Sequence, residues 1–233
     1  MTINALYQSV TDLPEKIAVF PLARALVLPQ SQLPLNIFEP RYLTMIDDTI
    51  GNDRVIGMIQ PGATQPASGI PLDSNGQDKP VLCNVGCLAR ISSFRESGDG
   101  RYFIILDGIC RFELVEEMAA TTLYRQVRAN YAPFAIDLEN PQDQEKEINR
   151  QQLLDTLRDY LEQRHLSADW KEIEATPTAG LVNSLTMSCP FEIAEKQALL
   201  EAPTLIERSE CLLTLLQMAS ANTGNPPDNT PLQ

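Results

Sequence analysis

The chain has 233 residues, 43% of them hydrophobic, which is enough for one large domain or two small ones with a buried core. Its 31 acidic and 18 basic residues give a net charge of −13, which argues against a nucleic-acid-binding protein with a basic face. No stretch approaches the roughly 18 apolar residues of a membrane span, and the five cysteines are an odd number without a secretory leader. We therefore expect a reducing, cytoplasmic location and no membrane partner.

Residues 17–42, IAVFPLARALVLPQSQLPLNIFEPRY, are the first organised stretch, after a polar segment at 1–15 that we expect to be poorly ordered or to lie at an edge. Apolar runs in this stretch end near Pro21, Pro29 and Pro40. Proline fixes φ and has no N–H, so each one marks a place where the backbone changes direction. Beyond Pro40, apolar residues recur at helical spacing. The pattern predicts a strand, a crossover, a second strand and a short helix.

Two charged residues, Glu39 and Arg41, stand at the predicted helix start among apolar neighbours. These neighbours have the spacing of core residues, and we interpret them as core: Phe20, Leu22, Leu35, Ile37 and Phe38. The charged pair is either a structural ion pair at the helix start or part of a recognition surface, and the sequence leaves both interpretations open.

A strand-rich segment follows the helix. The β-branched and alternating apolar residues predict strands at 54–60, 85–91, 102–106, 110–115 and 124–131. An Asp-Gly turn at 96–100 predicts a hairpin, and Asp107-Gly108 predicts a second turn. Residues 61–80 are a proline-rich surface loop that is either functional or a tolerated insertion. Short consecutive strands with tight turns predict an antiparallel, closed sheet.

The apolar period changes from two to about 3.6 beyond a linker at 132–141. This period predicts a series of helices at 145–164, 168–175, 178–187, 191–201 and 204–219, and prolines lie in or beside the breaks between them. We therefore predict an α+β protein with a strand-rich part at 1–131, a helical part at 132–219 and a disordered tail at 220–233.

Three strings in the chain resemble the N-terminal, substrate-binding domain of the Lon protease family. They are FPL with LP six residues on and then PLNIFEPRY at 34–42, LDGICRF at 106–112, and CPF at 189–191. The resemblance covers about residues 17–218 and indicates a stand-alone, bacterial-type member. It implies an N-terminal PUA-like antiparallel β pseudobarrel with a short helix, followed by a C-terminal α-helical bundle.

The resemblance implies binding rather than proteolysis, because the chain has neither a P-loop nor a G-x-S-x-G motif. We expect a non-catalytic protein- or peptide-binding module, an adaptor or holdase in protein quality control. Its partners would be unfolded or apolar polypeptide segments, or a specific protein, and we expect no cofactor. The candidate peptide-binding residues are Glu39, Arg41, Tyr42, Arg111 and Phe112.

Other chemistry has weaker support in the sequence. A single histidine, His165, does not supply a His-based triad or a multi-His metal site. Cys83 and Cys87 have a CxxxC spacing, but they would share one face of a strand as small core residues, and we expect no metal site. The main alternative function is an RNA-binding PUA-like protein that uses arginines within residues 90–128. A cysteine enzyme would require a depressed pKa at Cys83 or Cys110.

Overall fold

A computed structural model of the protein describes residues 7–62, 80–119, 121–139 and 145–221. Four predicted segments therefore fall partly outside the described residues: residues 1–6 of the first segment, 63–79 of the surface loop, 140–141 of the linker and 222–233 of the tail. Ser220 and Ala221, predicted to belong to the disordered tail, are instead the last two residues of a helix.

The chain forms two compact units. The first comprises the described residues within Met1–Asn140 and Met187–Glu201, and the second comprises those within Pro141–Thr186 and Ala202–Gln233. The sequence placed the boundary after residue 131 and assigned all later helices to one part. In the structure, one of those helices belongs to the strand-rich unit, because it packs on a long strand of the sheet.

Six strands make one sheet: β1 (Lys16–Pro21), β2 (Gln32–Ile37), β3 (Val55–Pro61), β4 (Leu82–Glu96), β5 (Tyr102–Glu117) and β6 (Arg125–Asn130). Their order is β2-β5-β4-β3-β1-β6, and an additional pairing joins β5 to β6. This second pairing closes β5, β4, β3, β1 and β6 into a barrel, with β2 attached to β5. The predicted closed sheet is therefore confirmed.

One pair of barrel strands is parallel, whereas the sequence predicted an antiparallel sheet. β1 pairs with β3 in parallel, with Val19 opposite Gly57, and the remaining pairs are antiparallel. Parallel neighbours need a crossover connection rather than a tight turn. The chain between β1 and β3 supplies one, since it contains both β2 and the first helix.

Six α-helices are described: α1 (Pro40–Ile50), α2 (Arg150–Gln163), α3 (Trp170–Ala175), α4 (Thr178–Ser188), α5 (Ile193–Glu201) and α6 (Leu205–Ala221). α1 begins at Pro40, as the proline predicted. α2 begins later than the predicted residue 145, because the Asn149 side chain accepts a hydrogen bond from the Gln152 N–H at 3.1 Å and caps the helix there.

The first unit is built around buried side chains of the barrel and of α1. One cluster joins Tyr42, Met45 and Ile46 of α1 to residues that include Phe20 and Ile104. A second cluster surrounds Phe112 and includes residues from β1, β3 and β6. The helix thus covers apolar surface that the sheet would otherwise expose to water.

The second cluster also bears on the prediction that the first 15 residues are poorly ordered or lie at an edge. Leu13 is buried in this cluster. The Tyr131 hydroxyl donates to the Pro14 carbonyl at 2.8 Å, and the Ala129 N–H donates to the Glu15 carbonyl at 2.8 Å. Residues 13–15 are therefore held against the barrel rather than poorly ordered.

The Asp107-Gly108 prediction is wrong, because β5 continues through both residues. A Cβ atom at Gly108 would lie 2.0 Å from the Leu28 carbonyl oxygen. Gly108 also accepts a hydrogen bond from the Gln30 N–H and donates one to the Ser31 carbonyl, each at 2.9 Å. The glycine is needed for this close approach of the loop between β1 and β2, not for a turn.

The other predicted hairpin, between β4 and β5, is confirmed. The Ser97 N–H donates to the Arg101 carbonyl at 2.7 Å, and the Gly100 N–H donates to the Ser97 carbonyl at 3.0 Å. Gly100 has a φ of +79°, the left-handed conformation that a three-residue hairpin loop requires at its last position.

The second unit is helical. α2 packs along α6, with Leu153 and Leu157 buried on α2 and Leu212 and Leu216 buried on α6. Arg150, at the first position of α2, donates to the Ile173 and Glu174 carbonyls and to the Thr178 hydroxyl, and so joins the start of α2 to the neighbouring helices α3 and α4.

Candidate functional site

An exposed phenylalanine stands at the turn between β2 and α1. Phe38 follows Ile37, the last residue of β2, and is 63% exposed. This corrects the core interpretation of Phe38, although Phe20 and Ile37 from the same set are buried. Burial alternates along β2, with Leu33, Leu35 and Ile37 on the inner side, and the exposed Phe38 continues this alternation on the outer side.

Glu39 and Arg41 form an exposed ion pair beside Phe38. Nε and Nη2 of Arg41 both donate to one Glu39 carboxylate oxygen, at 3.0 and 2.8 Å. The Arg41 guanidinium lies 4.7 Å from the centroid of the Tyr42 ring. Tyr42 itself is buried and packs on Phe20 with 4.2 Å between ring centroids. The two charged groups are therefore exposed to solvent, and the Arg41 guanidinium packs on the ring of the buried Tyr42.

Two aromatic residues of the β4–β5 hairpin lie near the same end of β2. Tyr102 is opposite Ile37, the residue before Phe38, in the pairing of β5 with β2. Phe94 is 42% exposed and packs edge-to-face on Tyr102 at 4.9 Å between centroids. We call the set formed by Phe38, Glu39, Arg41, Phe94 and Tyr102 the Phe38 surface. It combines exposed apolar rings with one charged pair.

Tyr102 is fixed in place from α1. Its hydroxyl donates to the Asp47 carboxylate at 2.9 Å, and this hydrogen bond raises the pKa of Tyr102 above its usual value. The contact ties the hairpin to the helix, so the Phe38 surface rests on two connected elements rather than on a loose loop.

Arg111, another predicted peptide contact, is buried. Its Nε and Nη2 donate to the two carboxylate oxygens of Asp137 at 2.8 and 2.7 Å, and its main-chain N–H donates to the same carboxylate at 2.9 Å. Nη1 donates to the Leu200 carbonyl, near the end of α5, at 3.1 Å. The guanidinium also lies 4.6 Å from the Phe134 ring centroid. Arg111 therefore joins β5, residues 132–138 and α5, and is not on the surface.

Phe112 is fully buried in the barrel, so the structure does not support it as a peptide contact either. Its ring occupies space that two glycines leave open. A Cβ atom at Gly86 would lie 2.5 Å from the Phe112 ring, and one at Gly57 would lie 3.0 Å from it. Phe112 is a packing residue of the barrel.

α5 is held to the barrel by a buried amide pair as well as by Arg111. The Gln60 side chain donates to the Gln197 side chain at 3.0 Å and to the Ile193 carbonyl at 3.2 Å. Gln197 in turn donates to the Val85 carbonyl at 3.1 Å. These bonds explain why α5 belongs to the first unit.

The two candidate nucleophiles, Cys83 and Cys110, have pKa values shifted away from the thiolate. Burial raises the pKa of the Cys110 thiol to about 12, and it also raises the pKa of Cys83. A catalytic cysteine needs the opposite shift, toward the thiolate. The geometry therefore gives the cysteine-enzyme alternative no support.

The described part of the chain contains neither a candidate metal site nor a candidate membrane-spanning helix. Among residues 7–62, 80–119, 121–139 and 145–221, no three or more His, Cys, Asp or Glu side chains are grouped so that they could hold a metal ion. In the same residues, no helix has the length and apolar character needed to cross a membrane.

Of the predicted site residues, the structure brings Glu39, Arg41 and Tyr42 together and places Arg111 and Phe112 in the interior. Sequence reasoning missed Phe38 and Phe94 as surface residues. The signal for Phe38 was the alternation of Leu33, Leu35 and Ile37, which places the next residue on the opposite face. Phe94 had no signal besides its place near a hairpin end.

The sequence matches a family model described as the ATP-dependent protease La (LON) substrate-binding domain, over residues 16–218. The chain belongs to this family. Lon protease 2 of Myxococcus xanthus is 24% identical over 88% of the chain, and Lon protease of Anaeromyxobacter dehalogenans is 22% identical over 88%. The chain spans only 24% and 23% of the length of these two Lon proteases.

Solved structures of Lon N-terminal domains have the same fold. The Lon N-terminal domain protein from Xanthomonas campestris superimposes with a TM-score of 0.57 at 20% identity, covering 85% of this chain and 97% of that one. The N-terminal domain of Mycobacterium avium complex Lon protease gives 0.53 at 15% identity, covering 89% and 98%. The predicted α+β class is therefore confirmed for this Lon substrate-binding domain.

Proposed function

We propose that the chain binds apolar segments of unfolded polypeptide and acts as a non-catalytic adaptor or holdase in protein quality control. The observation that carries this proposal is the Phe38 surface, where two phenylalanine rings are exposed on a rigid barrel. Exposed aromatic rings of this kind are typical of recognition sites. Membership of the Lon substrate-binding family supports polypeptide as the ligand class.

The rings would act as anchors for apolar side chains of the client. Burying a large apolar side chain contributes about 1.5–3 kcal/mol, and ordering a flexible chain offsets much of this gain. We therefore expect micromolar or weaker affinity for a single segment, with stronger binding to clients that engage several modules at once.

The charge pairing of the arginines favours polypeptide over RNA as the ligand. Four of the six arginines between residues 90 and 128 form ion pairs with carboxylates: Arg101 with Asp99, Arg111 with Asp137, Arg125 with Glu117 and Arg128 with Glu116. Arginines that are neutralised in this way contribute little to phosphate binding. RNA binding remains the alternative that the experiment below also measures.

The first test is a fluorescence anisotropy titration of the whole chain against a labelled, permanently unfolded apolar polypeptide. The Phe38→Ser variant should bind about tenfold more weakly, because one apolar anchor is lost. Leu123→Ser is the matched control, since Leu123 is 60% exposed in the same unit but is outside the Phe38 surface. Its affinity should equal that of the unmodified chain.

Labelled tRNA in a parallel titration separates the two candidate functions. The polypeptide proposal expects no tRNA binding at low salt. Salt-sensitive tRNA binding together with no polypeptide binding would replace the proposal with the RNA alternative. Equal losses of polypeptide affinity in Phe38→Ser and Leu123→Ser would reject the Phe38 surface as the polypeptide-binding site.

A further inference from the structure

The β4 strand has an open edge near the tip of the β4–β5 hairpin. β4 pairs with β3 as far as Arg90, and the last main-chain bond on that side joins the Ile91 N–H to the Arg54 carbonyl at 2.8 Å. Residues 92–96 continue to pair with β5 on the other side. No described residue pairs with their outer side, and all five residues are exposed.

The hairpin register identifies the main-chain groups at this edge. The Ser97 N–H donates to the Arg101 carbonyl, so these two residues are a hydrogen-bonded pair. Main-chain groups alternate in direction along an antiparallel strand. Ser93 and Arg95 therefore bond to β5, and the residues after each of them, Phe94 and Glu96, direct their N–H and C=O groups outward. A bulge between Ile91 and Ser93 ends this alternation. Outward groups at alternate residues are what an added strand pairs with.

The other open edge of this part of the sheet, on β2, is protected. Pro34 lies in the middle of β2, opposite Ile105 of β5. A proline within a strand has no N–H to offer, and it stands where its nitrogen faces away from the ladder. Residues 92–96, Ser-Ser-Phe-Arg-Glu, contain neither proline nor lysine. The edge of β4 thus lacks the proline found on β2, although a bulge between Ile91 and Ser93 and the charges of Arg95 and Glu96 limit strand addition at its start and end.

The charge of the chain indicates which partner fits this edge. A second copy would carry the same net charge of −13, so long-range repulsion opposes pairing of two copies. A neutral or basic polypeptide would instead be attracted. Phe94 belongs both to the edge and to the Phe38 surface, so a strand added there would place alternate side chains beside the exposed rings.

We propose that the outer edge of β4 at residues 92–96 takes up an extended, non-acidic segment of a client polypeptide as an additional β-strand. The proposal rests on the proposed function and gives it a mechanism. The main-chain bonds supply affinity for many sequences, and the Phe38 surface selects apolar side chains at alternate positions.

Hydrogen exchange measured by NMR on the whole chain tests this directly. The probe is a labelled decapeptide of alternating valine and lysine. At saturation, the amide protons of Phe94 and Glu96 should exchange about tenfold more slowly, because they become hydrogen-bonded. The amide of Arg95, which already bonds to β5, should be unchanged and serves as the internal control.

A pair of variants measures the contribution of the outward main-chain N–H of Glu96 to binding. Glu96→Pro removes this group and the carboxylate, whereas Glu96→Gln removes the carboxylate alone. Glu96→Pro should bind the decapeptide about three- to tenfold more weakly than Glu96→Gln, as the loss of one main-chain hydrogen bond predicts. Urea unfolding of both variants should give equal midpoints, because the main-chain N–H of Glu96 makes no hydrogen bond within the sheet.

The outcomes separate this inference from the proposed function. Binding that is weakened by Phe38→Ser, with no protection at Phe94 and Glu96 and equal affinities in the two Glu96 variants, would overturn strand addition and leave the Phe38 surface in place. No decapeptide or polypeptide binding at all would overturn both. Protection that rises with protein concentration in the absence of peptide, with a dimer in sedimentation, would make a second copy the occupant and reject the client strand.

Discussion

The first unit contains two arginine–carboxylate pairs with nearly the same N–O separation and opposite surroundings. Arg111 and Asp137 are 2.7 Å apart, with 1% and 7% of their side chains exposed. Arg41 and Glu39 are 2.8 Å apart, with 44% and 43% exposed. Each guanidinium also lies over an aromatic ring.

The difference shows that distance does not determine what an ion pair contributes. The buried pair has given up its hydration, and removal of one partner would leave a charge without compensation in the interior. Water screens the exposed pair, so it adds little to stability and is available to a ligand. The same residue types therefore hold the fold together at one site and border a recognition surface at the other.

Arg111→Ala should cause the largest effect, a loss of about 3–5 kcal/mol in the free energy of unfolding. In this variant the Asp137 carboxylate loses the two guanidinium donors and keeps the main-chain N–H of residue 111, and the Leu200 carbonyl loses its guanidinium donor. Urea unfolding followed by circular dichroism measures the change. A loss below about 1 kcal/mol, the range of exposed pairs, would contradict the contrast between the two regions.

The double variant Arg111→Met, Asp137→Leu sharpens this test. Apolar replacement of a buried ion pair is often close to neutral. The double variant should therefore be more stable than Arg111→Ala, and a double variant that is less stable would show that the pair itself, rather than the unpaired charge, dominates.

Phe112→Leu should have an intermediate effect, about 1–2 kcal/mol in the free energy of unfolding, because a smaller side chain leaves space between Gly57 and Gly86. The same substitution at the exposed Phe38 should leave stability within about 0.5 kcal/mol. Urea unfolding of the two variants measures both changes. Equal losses in the free energy of unfolding would mean that Phe38 is also packed in solution.

Arg41→Gln should have the smallest effect on stability, less than about 1 kcal/mol in the free energy of unfolding. The effect should decrease further in high salt, since the pair is exposed to counterions. Thermal unfolding at two salt concentrations measures it, with Glu39→Gln as the matched partner. A large, salt-independent loss would show that this pair is structural.

Local patterns in the sequence were sufficient for much of the fold. The proline at residue 40, followed by apolar residues at helical spacing, predicted α1, and Asp99-Gly100 predicted the β4–β5 hairpin. In both cases the determining residues are neighbours in the chain. Asp107-Gly108 is also an Asp-Gly pair of the kind found in turns. Here, however, the glycine is required by the close approach of the Leu28 carbonyl, which is far away in the sequence.

The site was harder to predict, because exposure depends on where elements end and on distant partners. Phe38 is a large apolar residue of the kind found in cores, but it follows the buried Ile37 directly and is exposed on the opposite side of the alternating pattern. Arg111 stands in an apolar string that resembles a family motif, and nothing nearby indicates Asp137, which is 26 residues away. The sequence therefore indicated the region of Glu39 and Arg41 but assigned Arg111 and Phe112 to the wrong environment.

The bond from Arg111 to the Leu200 carbonyl also constrains how the protein is made. The strands of the barrel leave the ribosome first, but one acceptor of the buried guanidinium lies 89 residues later in the chain. Because domains generally fold as units during synthesis, the barrel can complete its interior only when α5 has emerged. A chain that stops after Glu139 would have every strand of the sheet and the Asp137 carboxylate, and would still lack the Leu200 carbonyl that accepts from the Arg111 guanidinium.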